Sequence, residues 1–349
     1  MKQSNGKSAH HRTRRRILLG SVGGAALLAL RTVFGQALAA LNPKLSGDLY
    51  PVHDPCIIKC GDTFYVFCTT PRRDTPAQIP WYASRDLLNW KRGGHVLAAL
   101  PAWAKQAVPK TESCWAPDIS FVDGQYLLYY ACSSFGSNES AIGLATNSTL
   151  DPADPKFHWE DKGLVLASKK SDDFNAIDPA HVVDRDGKHW LAFGSFWSGL
   201  KIVALDPKTG IPAGDAVIAS IARRPKAPDA IEGVFIIQRA GHYYLFASYD
   251  FCCRGADSSY YTVVGRSQNI VGPYVDKSGK SLMEGGGTLV LAAAPGESRW
   301  FGPGHCAVLR DEGKDYIVYH AYDGAHEGRP TLRIAPMGWT DDDWPVAFV

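Results

Sequence analysis

The same pattern of apolar and polar positions recurs five times along the chain. A polar residue heads a short alternating apolar run, a turn containing glycine follows, and an aromatic-rich run returns. The copies open at Asp54 (DPCIIKCGDTFYVFCT), Asp118 (DISFVDGQYLLYYAC), Asp178 (DPAHVVDRDGKHWLAFGS), Glu232 (EGVFIIQRAGHYYLFAS) and His305 (HCAVLRDEGKDYIVYHA). Their turn glycines are Gly61, Gly124, Gly187, Gly241 and Gly313, and the heads lie 64, 60, 54 and 73 residues apart. Alternation on both sides of a glycine turn predicts a β-hairpin. One hairpin per roughly sixty residues, five times over, predicts blades, so the expected fold is all-β, a five-bladed β-propeller.

No amphipathic helix stands out, and no linker rich in Pro and Ser divides the chain, so one domain is expected over residues 45–349. The Pro- and charge-rich segments Arg72–Gln78 and Arg223–Asp229 read as blade connections. An acid at a strand start is ordinarily a turn or capping residue. Five heads in register favour another reading. If equivalent strands point at one axis, five polar groups distant in sequence converge on one face, and four of them are carboxylates.

Residues 1–39 read differently. Seven basic residues (Lys2, Lys7, Arg12, Arg14, Arg15, Arg16, Arg31) and no acid surround a weakly apolar run, Ile17 to Leu30, before Ala37-Leu38-Ala39. This is the layout of a secretory signal, and Thr13-Arg14-Arg15-Arg16-Ile17-Leu18 resembles the twin-arginine consensus. The run is short of the roughly 20 residues that span a bilayer. Cleavage near Ala39 or Ala40 and export to the periplasm or medium are expected. The alternative is an uncleaved anchor.

Removing the signal changes the charge. The whole chain carries +2, and the mature part keeps 30 basic against 35 acidic residues, a net −5. A nucleic-acid partner needs a basic face and is not expected. Nor is a membrane partner after cleavage; a monomer is expected. Six of the eight cysteines lie in or beside apolar runs and read as small hydrophobes. Cys252-Cys253 could form a vicinal disulfide in an oxidising compartment.

Three of the heads, Asp54, Asp178 and Glu232, supply what glycoside hydrolysis requires. One carboxyl protonates the departing oxygen, a second activates water or attacks carbon, and a third can hold the proton donor's pKa high. Glu232 lies between Ile231 and Gly233-Val234-Phe235, an apolar neighbourhood that favours a protonated acid. Asp54 follows His53 and is expected to stay ionised. Trp115, Phe135, Phe196 and Trp197 sit where sugar faces could stack. Trp81, Trp90, Trp103, Trp159 and Trp190 are candidates too, or blade filler.

These segments resemble glycoside hydrolase family 43, in particular its arabinanases, over most of the mature chain. The motifs that carry the resemblance are Val52-His53-Asp54-Pro55, Trp115-Ala116-Pro117-Asp118, Asn175-Ala176-Ile177-Asp178-Pro179, Ile231-Glu232-Gly233, Ser248-Tyr249-Asp250-Phe251-Cys252-Cys253-Arg254-Gly255 and Gly302-Pro303-Gly304-His305. The resemblance implies a five-bladed propeller that inverts the anomeric carbon, with Asp54 as general base, Glu232 as general acid and Asp178 tuning Glu232. Asp118 is then structural or an acceptor for a substrate hydroxyl. Substrate contacts are implied at His53, Trp115, Gly136, Asn175, Ile177, Ser195, Phe196 and Trp197. His305 matches a histidine that helps hold a metal ion, usually calcium, through water. The implied substrate is arabinan or its oligosaccharides, cut at α-1,5-L-arabinofuranosyl linkages. Exo-acting arabinofuranosidases, β-xylosidases, retaining fructan hydrolases and a non-catalytic sugar-binding propeller are the competing readings.

Overall fold

The computed structural model describes residues 40–349; the segment expected to be a signal, residues 1–39, lies outside the described residues. Twenty-one strands form five sheets. The first blade contains β1 (Ser46–Gly47), β2 (Cys56–Cys60), β3 (Thr63–Phe67), β4 (Gln78–Ser84) and β5 (Asn89–Leu97). The second contains β6 (Cys114–Val122), β7 (Gln125–Cys132), β8 (Ser140–Asn147) and β9 (Glu160–Ser168). The third contains β10 (Ala180–Val183), β11 (His189–Phe193), β12 (Leu200–Ala204) and β13 (Ala219–Ala222). The fourth contains β14 (Ile231–Arg239), β15 (His242–Tyr249), β16 (Tyr261–Ser267) and β17 (Thr288–Leu291). The fifth contains β18 (Trp300–Asp311), β19 (Lys314–Asp323), β20 (Arg329–Trp339) and β21 (Pro345–Ala347).

Every repeat forms the hairpin its pattern predicts, and it is the first hairpin of its blade. All five turn glycines have positive φ, from 57° to 79°, a conformation that costs glycine nothing. The first strands touch one another in a closed ring: β2 with β6, β6 with β10, β10 with β14, β14 with β18, and β18 with β2. They therefore line the axis. Between blades pack layers of aromatic and aliphatic side chains, among them Tyr244, Phe246, Tyr319 and Trp339 between the fourth and fifth. Trp81, Trp90 and Trp159 are core residues of this kind, and Trp103 and Trp190 pack against the core, so their expected alternative role as blade filler is the one observed.

Three local features depart from the pattern. A short helix, α1 (Ala102–Ala107), sits between the first two blades. Arg72–Gln78 lies within the first blade, between β3 and β4, whereas Arg223–Asp229 does connect two blades. Residues before position 45 also pack against the propeller. Asn42 is buried, bonds the Tyr319 hydroxyl at 3.1 Å and accepts the Ile334 N–H at 2.9 Å. With Leu332 N–H on Leu49 and Val52 N–H on Pro330, the N-terminal segment ties the first blade to the fifth.

Candidate active site

Antiparallel pairing decides which loops meet the heads. The start of each first strand lies opposite the end of the second: Cys56 faces Phe67, Cys114 faces Cys132, Ala180 faces Ala192, Ile231 faces Tyr249, and Trp300 faces Asp323. The loops after the second strands therefore share one end of the propeller with the heads. They carry Gly136, Ser195, Phe196, Trp197, Cys252 and Cys253.

The heads themselves are set by irregular backbone. Asp54, Asp178 and His305 have φ of 53°, 55° and 48°, a left-handed conformation that non-glycine residues rarely hold. Near Asp118, Glu232 and His305 the ladder shifts register, between Trp115 and Asp118, Glu232 and Phe235, and Gly304 and Ala307. Such bulges re-aim a side chain away from the sheet alternation.

Among the four acidic heads, Asp54 has the most side-chain partners. Its Oδ2 accepts from Thr69 Oγ1 at 2.6 Å and lies 2.7 Å from His53 Nδ1. Its Oδ1 is 3.1 Å from His305 Nδ1, and its backbone N–H donates to His320 Nδ1 at 3.1 Å. Burial works against its ionisation, but His53 and His305 outweigh burial and hold the pKa well below the usual carboxylate range.

Glu232 has the opposite balance. Its Oε2 accepts from Ser195 Oγ at 2.6 Å and its Oε1 from Tyr260 Oη at 2.9 Å. Burial raises its pKa more than those two bonds lower it. Asp178 accepts the Gly233 N–H at 3.0 Å, and burial, with the charges of Glu232 and Asp54, pushes its pKa up to about 8. Both Asp178 and Glu232 shift upward, and the charge of Asp54 adds to burial at each. Asp118 also rises, to about 7, through burial. Its Oδ2 accepts the His181 N–H at 2.7 Å, which joins the second blade to the third, the structural role that was one of its two expected readings.

The remaining expected contacts spread around this centre. Ser195 bonds the Glu232 carboxylate directly. Ile177 is buried, and so is Asn175, whose side-chain oxygen has no protein partner. Trp115 is half-buried with its indole N–H on Ser113, while Gly136 is exposed at φ 78° beside the open ring of Phe135. Phe196 and Trp197 both adopt left-handed backbone, and Phe196 lies 6.1 Å from Phe251 across the loops. Thr69, Tyr260, His320 and Tyr322 touch the acids or His53 without having been singled out in the sequence. The signal available for them was position: Thr69, His320 and Tyr322 lie in or just after the second strand of a repeat, on the same end as its head.

His305 sits among acids. Burial alone would drive off its proton, but Asp54, then Asp178 and Glu232, push its pKa up to about 9. Asp118 feels the same imidazole. An axial centre with this acid excess favours positive charge and fits a cation. One imidazole nitrogen is a poor direct calcium ligand, so the fit is through water. Among the described residues two tighter groups of ligand atoms exist, His53 with Asp54 and His320, and His53 with Cys252 and Cys253. In the first, His320 Nδ1 already accepts the Asp54 N–H, and in the second the two cysteines are bonded to each other.

The profile of Glycosyl hydrolases family 43 matches residues 41–345. The chain belongs to glycosyl hydrolase family 43. Its catalytic domain is 42% identical to an extracellular exo-α-(1→5)-L-arabinofuranosidase of Cellvibrio japonicus, over 89% of this chain and 90% of the relative. It is 39% identical to an extracellular endo-α-(1→5)-L-arabinanase of Bacillus subtilis, over 92% and 95% of the two chains. Among solved structures, an endo-arabinanase of family 43 from Bacillus licheniformis superposes with a TM-score of 0.79 at 44% identity, covering 87% of this chain and 99% of that one. This family 43 protein is thus a glycoside hydrolase of the arabinanase and arabinofuranosidase group.

Proposed function

We propose that the protein is an endo-acting arabinanase that hydrolyses α-1,5-L-arabinofuranosyl linkages with inversion. The observation that supports this most is the split between two buried carboxyls of one cluster, the pKa of Asp54 held well below the usual range and that of Glu232 raised above it. Hydrolysis in a single displacement needs one carboxyl ionised and the other protonated. Asp54 accepts a proton from the attacking water while Glu232 gives one to the departing sugar oxygen. After turnover the protons are on the wrong groups, and exchange with solvent resets them. Asp178 keeps Glu232 from ionising early. Ser195 and Tyr260 hold both oxygens of Glu232 and so fix the direction of proton transfer.

A calcium ion at the axis, held by His305 through water, would supply positive charge beside Asp54 and Asp178. Asn175, Ile177, Trp115, Phe196, Trp197, Gly136 and His53 are assigned to the sugar chain. The twin-arginine-like signal and the two extracellular relatives support export.

The test is digestion of debranched linear arabinan in the presence of calcium, with products resolved by chain length over time. Mixed oligomers at early times are expected. A single short product from the first minutes would replace the endo reading with the exo activity named for the Cellvibrio relative. No cleavage by a folded sample would overturn the substrate assignment.

A further inference from the structure

The support of the base reaches beyond the acids to a disulfide. Cys252 and Cys253, adjacent in the loop after β15, are bonded to each other. The backbone N–H of Cys253 donates to Tyr322 Oη at 2.8 Å. Tyr322 Oη is 2.7 Å from His53 Nε2, and His53 Nδ1 is 2.7 Å from Asp54 Oδ2. The donors are consistent along this chain. A carboxylate only accepts, so His53 Nδ1 carries the hydrogen. In the neutral imidazole Nε2 is then an acceptor, and the Tyr322 hydroxyl donates to it. The phenol oxygen keeps a lone pair for the Cys253 N–H. Three hydrogen bonds thus join a loop of the fourth blade, through the fifth, to the head of the first.

We infer that the Cys252–Cys253 disulfide is a positioning device for the catalytic base, acting through Tyr322 and His53. The inference rests on the reading of Asp54 as that base. Closing a ring between adjacent residues fixes the peptide that joins them, and that peptide carries the N–H anchoring Tyr322. Cys253 itself has φ 66°, a conformation a free cysteine would tend to leave. Its sulfur lies 3.8 Å from His53 Nε2. Once reduced, the Cys253 thiol competes with Tyr322 for that nitrogen while the anchoring N–H is released. Asp54 keeps Thr69 and His305, so the base is displaced rather than lost.

A tertiary phosphine supplies the reduction. It takes oxygen from water to become the phosphine oxide, and two electrons and two protons convert the disulfide to two thiols. The other six cysteines are already thiols, so no other bond responds. The experiment measures kcat and KM on a linear arabino-oligosaccharide before and after phosphine, with thiols counted in the native protein. It is repeated on Tyr322→Phe and on the double variant Cys252→Ser/Cys253→Ser. Reduction is expected to lower kcat roughly tenfold at near-constant KM, the scale of a small misplacement of a catalytic group. Reoxidation restores it. Tyr322→Phe loses a similar factor, and reducing that variant adds nothing further, because both act through one path.

Two new thiols with unchanged kcat would overturn the inference. So would a rise in KM alone, which is the behaviour of a sugar-stacking platform, or losses that multiply between reduction and Tyr322→Phe. If the double serine variant does not fold, the phosphine series decides. A parent protein with no hydrolysis of any arabinoside would remove the reading of Asp54 and this inference with it. An active parent indifferent to phosphine removes the inference alone.

Discussion

The Gly233 N–H donates to Asp178 Oδ2 at 3.0 Å, so the residue after Glu232 holds Asp178 in place across a blade boundary. The bond fixes two like charges close together, and they resist losing a second proton. Asp178→Asn removes one of the charges. The alkaline limb of the kcat/KM profile, which the proposed mechanism assigns to ionisation of Glu232, is then expected at lower pH, with kcat reduced roughly 10–100-fold. An alkaline limb that stays put or moves up would show that Asp178 does not tune the acid.

Ser195 and Tyr260 shift the same limb the other way. Each donates to Glu232, and each bond favours the charged carboxylate. Removing either one disfavours ionisation, so Ser195→Ala and Tyr260→Phe are expected to move the alkaline limb to higher pH. The proposed mechanism assigns the acid limb to Asp54, which His53 and His305 hold below the usual range, and that limb is expected to stay where it is. The opposite signs of the two sets of variants make pH profiles more informative than rates alone.

Glu232→Gln keeps the shape of the side chain and removes the transferable proton. Hydrolysis is expected to fall roughly 10²–10⁴-fold with an unchanged melting temperature. Arabinan cleavage by this variant at the parent rate would end the assignment of Glu232.

Gly233 is constrained twice. Its φ is 62°, and a Cβ there would lie 3.2 Å from His305 Nδ1, the atom that faces Asp54. Gly233→Ala is expected to cost about 1–2 kcal/mol for the left-handed backbone alone. It is also expected to lower kcat by disturbing the His305–Asp54 pair. Chemical denaturation and kinetics read the two effects separately, and a variant as stable and active as the parent would contradict both.

How much of this was legible in the sequence follows from what each feature depends on. The hairpins and their heads were legible because alternation and turn glycines are local, and five copies made the period visible. Convergence of Asp54, Asp178, Glu232 and His305 followed from symmetry once blades were assumed. The residues that support them were less visible. Thr69, Tyr260 and Tyr322 look like ordinary strand-end residues; Thr69 and Tyr260 reach Asp54 and Glu232 within their own blades, and Tyr322 reaches His53 only when the fifth blade closes on the first. Tryptophans were ambiguous because apolar ring area serves a blade interface as well as a sugar face. The N-terminal strap was missed because Asn42 carries no periodicity. Its role is two hydrogen bonds to residues almost three hundred positions away.

That strap yields a prediction independent of catalysis. Asn42 is 7% exposed, and its amide serves the Tyr319 hydroxyl and the Ile334 N–H of the fifth blade. Asn42→Ala leaves both groups buried without that partner, and an orphaned buried polar group costs more than an average hydrogen bond contributes. The loss is expected at roughly 1–3 kcal/mol. The urea midpoint should fall with the slope nearly unchanged, since the surface exposed on unfolding is the same. The Asn42 amide bonds Tyr319 and Ile334 rather than any acid at the axis, so kcat should match the parent at temperatures where both are folded. A midpoint equal to the parent's would mean that the segment before residue 45 lies against the fifth blade without holding it closed.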